Sequence, residues 1–433
     1  MAKIYHADLY GNRESKYNWL EKNDINTATW NELNPQSEFY LFIPQDVTRK
    51  AIYDTFEKIT EIFPINNVGI VTARDALTIA WSKDELWRRI INFTKLDEET
   101  ARLTFELGTD SRDWKVKFAQ KDLVDSKLDK DRIVNILYRP FDLRYTYYTG
   151  NSRGFHCTPR NNVMQHLLKS NLSLISVRQV AEKKFNHTFI SSSIVECRIT
   201  LSNKGYGYIF PLYIYPETDK KDLFSDHESE EKKPNINEEL IKQLNHNFTF
   251  PNPPTNPRAK RAVRSDKVVK TSPEEIFYYI YAVLYSNTYR TKYAEFLKID
   301  FPRVPFTKNY KLYLELGNLG KQLADLHLLK DEAFVTTISK FEGSGNNEVE
   351  KPKYENEKVW INKERYFDGI KEEVWNYQIG GYQVCEKWLK DRKNRPLTLE
   401  EIQTYCKIVT ALSKTIEIQN QIDELYPEVE KTL

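Results

Sequence analysis

Ten basic side chains fall between Tyr138 and Tyr208: Arg139, Arg144, Arg153, Arg160, Lys169, Arg178, Lys183, Lys184, Arg198 and Lys204. Only Asp142, Glu182 and Glu196 oppose them, so this stretch carries +7 in a chain whose formal total is +2. Asn151, Asn161, Asn162, Gln165, Gln179, Asn186 and Asn203 are interleaved with the cations. The arginine fork matches the guanine edge and the Asn or Gln amide matches the adenine edge, so the mixture suits groove reading of duplex DNA. Arg139, Arg144, Arg153, Arg160, Asn161, Arg178, Gln179, Lys183, Lys184, Arg198 and Asn203 are the candidate DNA-contacting residues. The plainer alternative is a solvated basic face of a β-rich domain. A second cluster, Arg258, Lys260, Arg261, Arg264, Lys267 and Lys270, reads as a soluble linker or a phosphate-tracking segment.

Other spacings imitate catalytic devices. Asn252-Pro-Pro-Thr255 lacks the terminal ring that would grip a flipped adenine, and Phe341-Glu-Gly-Ser-Gly345 has the shape of an S-adenosylmethionine loop. Such a loop should open a helix, yet Asn346–Pro352 is polar and ends in proline, so a flexible turn is expected. Glu14-Ser-Lys16 after Asp8, and Glu182-Lys-Lys184 with Asp142, resemble the Asp, Glu and Lys set of metal-dependent nucleases, but surface charge explains both. Gly317-Asn-Leu-Gly-Lys-Gln322 lacks the hydroxyl residue of a phosphate loop and reads as a turn beside a helix. His156, His166 and His187 have no metal-ligand spacing and are expected to hydrogen-bond or face DNA. Trp375, Tyr377, Tyr382 and Trp388 read as packing residues. No catalytic residue and no metal site is assigned.

The elements that must position the basic residues follow from patterning. Residues 1–130 read as a mixed α/β connector region, with helix-compatible stretches at 49–62 and 82–93 flanking the strand-like 68–72. Residues 131–216 are short β-branched or aromatic runs separated by Gly, Asn and Ser, a strand-and-turn pattern. Residues 217–271 form a charged, Pro-rich excursion: 217–231 carries −5 and 258–270 carries +5, with few apolar residues to bury. Residues 272–433 read as mostly helical. Ser272-Pro-Glu-Glu275 and Thr398-Leu-Glu-Glu401 are capping boxes that predict a helix to about 285 and a long terminal helix over about 398–424. The expected fold class is therefore α+β, with a β-rich recognition domain and a helical C-terminal region. Four cysteines far apart fit a reducing cytoplasm, and no apolar run of about 18 residues suggests a membrane span.

Three phrases in order, 136–144 (ILYRPFDLR), 158–166 (TPRNNVMQH) and 210–213 (FPLY), resemble the C-terminal specificity region of type ISP and type IIG-like restriction-modification enzymes. Residues 287–303, 377–384 and 387–392 extend the likeness, and 4–13 resembles the stretch that follows the methyltransferase core in such enzymes. The resemblance implies a target-recognition module for double-stranded DNA that directs an adjacent N6-adenine methyltransferase domain or subunit. It implies no cofactor in this chain. S-adenosylmethionine, ATP and Mg are expected, on this resemblance, only for catalytic, nuclease and translocase parts outside this sequence. The alternative is that the chain is itself an adenine methyltransferase or nuclease fragment.

Overall fold

In a computed structural model of the chain, the described residues are 2–35, 40–182, 184–201, 205–216, 232–248 and 270–433. They fall into two units, Met1–Ile52 and Tyr53–Leu433. In the first, strands Ile4–His6 and Asn31–Leu33 pair antiparallel. Between them helix Arg13–Lys22 starts on the Asn12 side chain and buries no residue of its own.

The second unit is α+β. Strands Ile133–Arg139 and Asp142–Tyr147 form a hairpin, and Ile194–Val195 pairs parallel to the first of them. A second sheet runs in the order Asn67–Val68, Gly207–Pro211, Ser173–Val177, Phe189–Ser191, antiparallel throughout. Residues 67–72 join the two: Ile70 N–H donates to Val195 O, Cys197 N–H donates to Ile70 O, and Val71 exchanges both bonds with Thr158. Gly69 is required there, because a Cβ would meet the Cys197 backbone at 2.7 Å. The strand-like 68–72 of the sequence is thus a seam.

Both capping boxes form. Ser272 and Glu275 start helix Pro273–Tyr285, and Thr398 and Glu401 start the 33-residue helix Leu399–Lys431, longer than its apolar stripe suggested. Helix Tyr310–His327 packs on 273–285 so closely that a Cβ on Gly320 would overlap the Tyr278 carbonyl oxygen. This corrects the reading of 317–322 as a turn: the glycines sit inside a helix and serve its packing. One hydrophobic core holds side chains of the strands and of all three helices, so the strand region and the helical region share their interior. A smaller cluster under helices Lys83–Lys95 and Val116–Asp125 centres on Trp114 and Tyr147.

Two more regions differ from expectation. Most of the charged excursion, including 217–231, 249–269, Asn252–Thr255 and five of the six residues of the second basic cluster, lies outside the described residues. Its middle is structured: helix Glu238–Asn247 buries Leu240 and Leu244, and Phe248 rests against Tyr310 and Tyr313. The C-terminal region also holds a four-stranded antiparallel sheet, Lys340–Gly343, Arg365–Asp368, Lys358–Trp360, Lys353–Glu355. Phe341 and Gly343 are therefore in a strand rather than a flexible turn, and 346–352 opens no helix. No helix among the described residues is long and apolar enough to cross a membrane.

Candidate nucleic-acid interface

The basic residues of 138–208 separate by burial. Arg139 is 8 % exposed and donates to Glu196 Oε2 at 2.6 Å. Arg144 donates through Nε and Nη2 to Asp142 Oδ2, at 3.0 and 2.7 Å, and lies 3.8 Å above the Trp81 ring. Arg392 reaches the other oxygen of Asp142 at 2.9 Å, and the guanidinium groups of Arg392 and Arg395 also face Trp81. Burial pushes the Glu196 carboxyl up, and the neighbouring Arg139 opposes the shift. Arg139 and Arg144 are thus corrected from DNA contacts to core ion pairs: a sequence counts cations but not the acids that come to meet them. Asp142, read from the sequence as surface charge, is instead buried and held between two arginines.

The projecting residues form two groups. In the loop 149–161, Asp122 acts as an anchor, accepting from Thr149 Oγ1, Asn151 Nδ2 and the Phe155 N–H at 2.8 Å each. Gly154 lies against that carboxylate, where a Cβ would clash. The turn it fixes sets Arg153 at φ +56°, with its side chain 64 % exposed and 3.5 Å from Asp113. Arg112, outside the stretch singled out by sequence, shares Asp113 at 2.6 Å and is 88 % exposed. Arg160, also at positive φ but half-buried with its Nε inside, opens the short helix Asn161–Met164, and Asn161 Oδ1 accepts from Tyr148 Oη at 3.2 Å.

The second group is built from loops 178–187 and 198–201. The hairpin of Gln378–Ile379 and Tyr382–Gln383 clasps them through its Gly380-Gly381 tip. Gly380 N–H donates to Asn186 O at 3.0 Å and Gly381 N–H to Thr200 O at 2.8 Å. Gly380 has φ +59°, and a Cβ there would come within 2.6 Å of Thr200. Arg178, Gln179, Lys184 and Arg198 are exposed on these loops. Arg178 lies 3.3 Å from Asp300, a carboxylate that also holds Lys58 at 2.6 Å. Lys183 and Asn203 lie outside the described residues.

The histidines are interior groups. His156 Nε2 is 2.8 Å from Thr146 Oγ1, His166 Nδ1 accepts from the Tyr215 N–H, and His187 is 3.0 Å from Glu182. Burial pushes His156 and His187 down to about 4, so both are neutral at pH 7. Trp375, Tyr382 and Trp388 are buried, as packing residues should be. Among the described residues no group of three His, Cys, Asp or Glu side chains is arranged to hold a metal.

The family model of the Type ISP C-terminal specificity domain matches residues 61–421. Among solved structures, the chain is similar to a nuclease-deletion mutant of the Type ISP restriction-modification enzyme LlaGI in complex with a DNA substrate mimic. That match has TM-score 0.67 and 20 % identity and covers 97 % of this chain and 39 % of the other. It is also similar to the ATP-dependent Type ISP enzyme LlaBIII bound to DNA, with TM-score 0.64, 19 % identity and 91 % and 25 % coverage. A DrdV–DNA complex matches with TM-score 0.67, 18 % identity and 98 % and 43 % coverage. The chain therefore spans between a quarter and somewhat over two-fifths of these proteins. No curated protein matches it significantly.

Proposed function

The chain belongs to the Type ISP C-terminal specificity domain family, and on that premise we propose that it is the module that recognises a DNA target for a restriction-modification enzyme. The observation that supports this best is the sorting of its cations. The arginines that share the core are neutralised by Asp142 and Glu196, while Arg153, Arg178, Lys184 and Arg198 are projected from loops pinned by Asp122 and by the 380–381 hairpin tip. Fixed loops carrying arginine forks and amides suit base-edge reading, which needs side chains held in register with the groove.

Catalysis belongs, in this reading, to the remainder of a longer enzyme. An N6-adenine methyltransferase using S-adenosylmethionine, and a nuclease and an ATP-driven translocase using Mg, would act at the site this module selects. The test is selection of duplexes from a random pool by the purified chain, followed by affinity and salt titrations on the winners. Enrichment of one short sequence with salt-sensitive binding is expected. Recovery of no sequence, with binding indifferent to salt, would overturn the reading. Methyl transfer or cleavage by the chain alone would favour the catalytic alternative.

A further inference from the structure

Beside the second loop group lies a cavity of about 660 Å³, within the range of ~300–1,000 Å³ typical of small-ligand pockets. Three distant parts of the sequence line it: Lys184 and Asn186 from the basic loop, Arg290 from helix Asn287–Lys292, and Glu373, Tyr377 and Gln378 around the glycine hairpin. Two of its polar groups are left without partners. The Arg290 guanidinium spends Nε on the Leu284 carbonyl at 2.6 Å and lies 4.7 Å from the centroid of the Tyr285 ring. The Tyr377 hydroxyl also meets the guanidinium, but Nη2 itself is buried and makes no hydrogen bond. Asn186 uses its Nδ2 on Gln378 O at 3.0 Å, while its Oδ1 is buried and accepts nothing.

An unpaired buried donor on a cation and an unpaired buried acceptor are each costly, and both occur on residues lining one cavity. A second cavity, of about 690 Å³ between helices 310–327 and 399–431, offers a contrast. Its Lys321 and Lys330 are both already on Asp325.

We infer that the cavity of Lys184, Asn186 and Arg290 takes a single nucleotide, its phosphate meeting Arg290 and Lys184 and a base N–H donating to Asn186 Oδ1. The inference rests on the DNA-recognition reading for one of its two sources. The nucleotide comes either from a bound DNA strand, displaced beside the basic loop, or free from solution.

Two arms separate the sources. In the first, the full chain is titrated calorimetrically with each of the four deoxynucleoside 5′-monophosphates and with inorganic phosphate. In the second, a duplex selected from a random pool carries 2-aminopurine at each position in turn, and the fluorescence rise on binding is read alongside duplex affinity. Variants are Lys184→Glu, on an exposed residue, and Arg290→Gln, accepted only where its thermal midpoint matches the parent. A free-nucleotide source predicts binding in the first arm that exceeds inorganic phosphate and falls at least tenfold in Lys184→Glu. A DNA source predicts no such binding but a position-specific fluorescence rise that Lys184→Glu at least halves at saturating protein. Neither signal, or signals indifferent to both variants, overturns the inference. Duplex affinity, measured separately, then tells whether the recognition reading stands without it.

Discussion

Arg139 and Arg153 lie fourteen residues apart in one basic stretch and do opposite work. Arg139 is buried against Glu196, with its guanidinium 3.9 Å from the centroid of the Tyr138 ring. Arg153 stands at a turn tip, mostly in solvent, 3.5 Å from Asp113, itself shared with Arg112. Residue type is the same, so the difference lies in what folding brings nearby. A buried guanidinium is costly unless paired, whereas an exposed one stays in reach of solvent and of any ligand's charge. A count of basic residues overstates a DNA-binding surface by the number that the core has taken.

The contrast is broken most sharply at the buried end. Arg139→Ala leaves Glu196 buried without its cation, and breaking such a pair costs about 3–5 kcal/mol. Urea unfolding should show that loss, while DNA affinity per folded molecule stays at the parent value. A stable Arg139→Ala protein with weakened DNA binding would reverse the two roles.

The interior also titrates. His156 and His187 are pushed down to about 4 and His327 to about 3, each chiefly by burial. Unfolded, each returns to about 6.5 and binds protons that the folded chain refuses. The stability these sites share is complete above pH 6.5 and falls as pH drops through the window toward 4, by up to about 1.4 kcal/mol per pH unit for each histidine. Thermal midpoints taken across that window should show the fall, and His156→Gln should flatten it by about one third. A midpoint unchanged between pH 6.5 and 4.5 would place these rings in contact with water.

At the projecting end, Arg153→Gln should lower affinity for the selected duplex by about 1–3 kcal/mol if the fork reads a base. Stability should move by no more than about 0.5 kcal/mol, as for an exposed substitution. The joint Arg153 and Arg160 replacement should cost more affinity than Lys260 with Arg261. Equal losses would move the recognition surface to the second basic cluster. The smallest effect is expected at Arg112. Arg112→Ala should weaken all duplexes alike and reduce the salt slope by about 0.9, the signature of one phosphate contact.

The sequence was most legible where a local rule decides the outcome. Ser272 with Glu275 and Thr398 with Glu401 close as capping boxes, and the β-branched run at 133–139 is a strand. It was least legible where distant packing decides. Strands Lys353–Glu355 and Lys358–Trp360 carry little more than Val359 into the interior, too little apolar signal for a periodicity to register. Leu240 and Leu244 were hidden among charges, although they sit four apart on one helical face. Of the candidate site, the projecting cations were named along with two that are buried. Arg112 lay beyond the stretch, Arg290 was visible only as part of a longer family phrase, and Tyr377 was read as a packing residue.

The Gly380-Gly381 tip bears on how such modules are re-engineered. It closes on the backbone of 186 and 200 with no room for a side chain, so loops 178–187 and 198–201 take their shape partly from a segment nearly two hundred residues downstream. A chimera that imports only the two loops from a relative would set them on a foreign clasp. The transferable unit of specificity is therefore discontinuous, and grafts should move 377–383 together with the loops it holds.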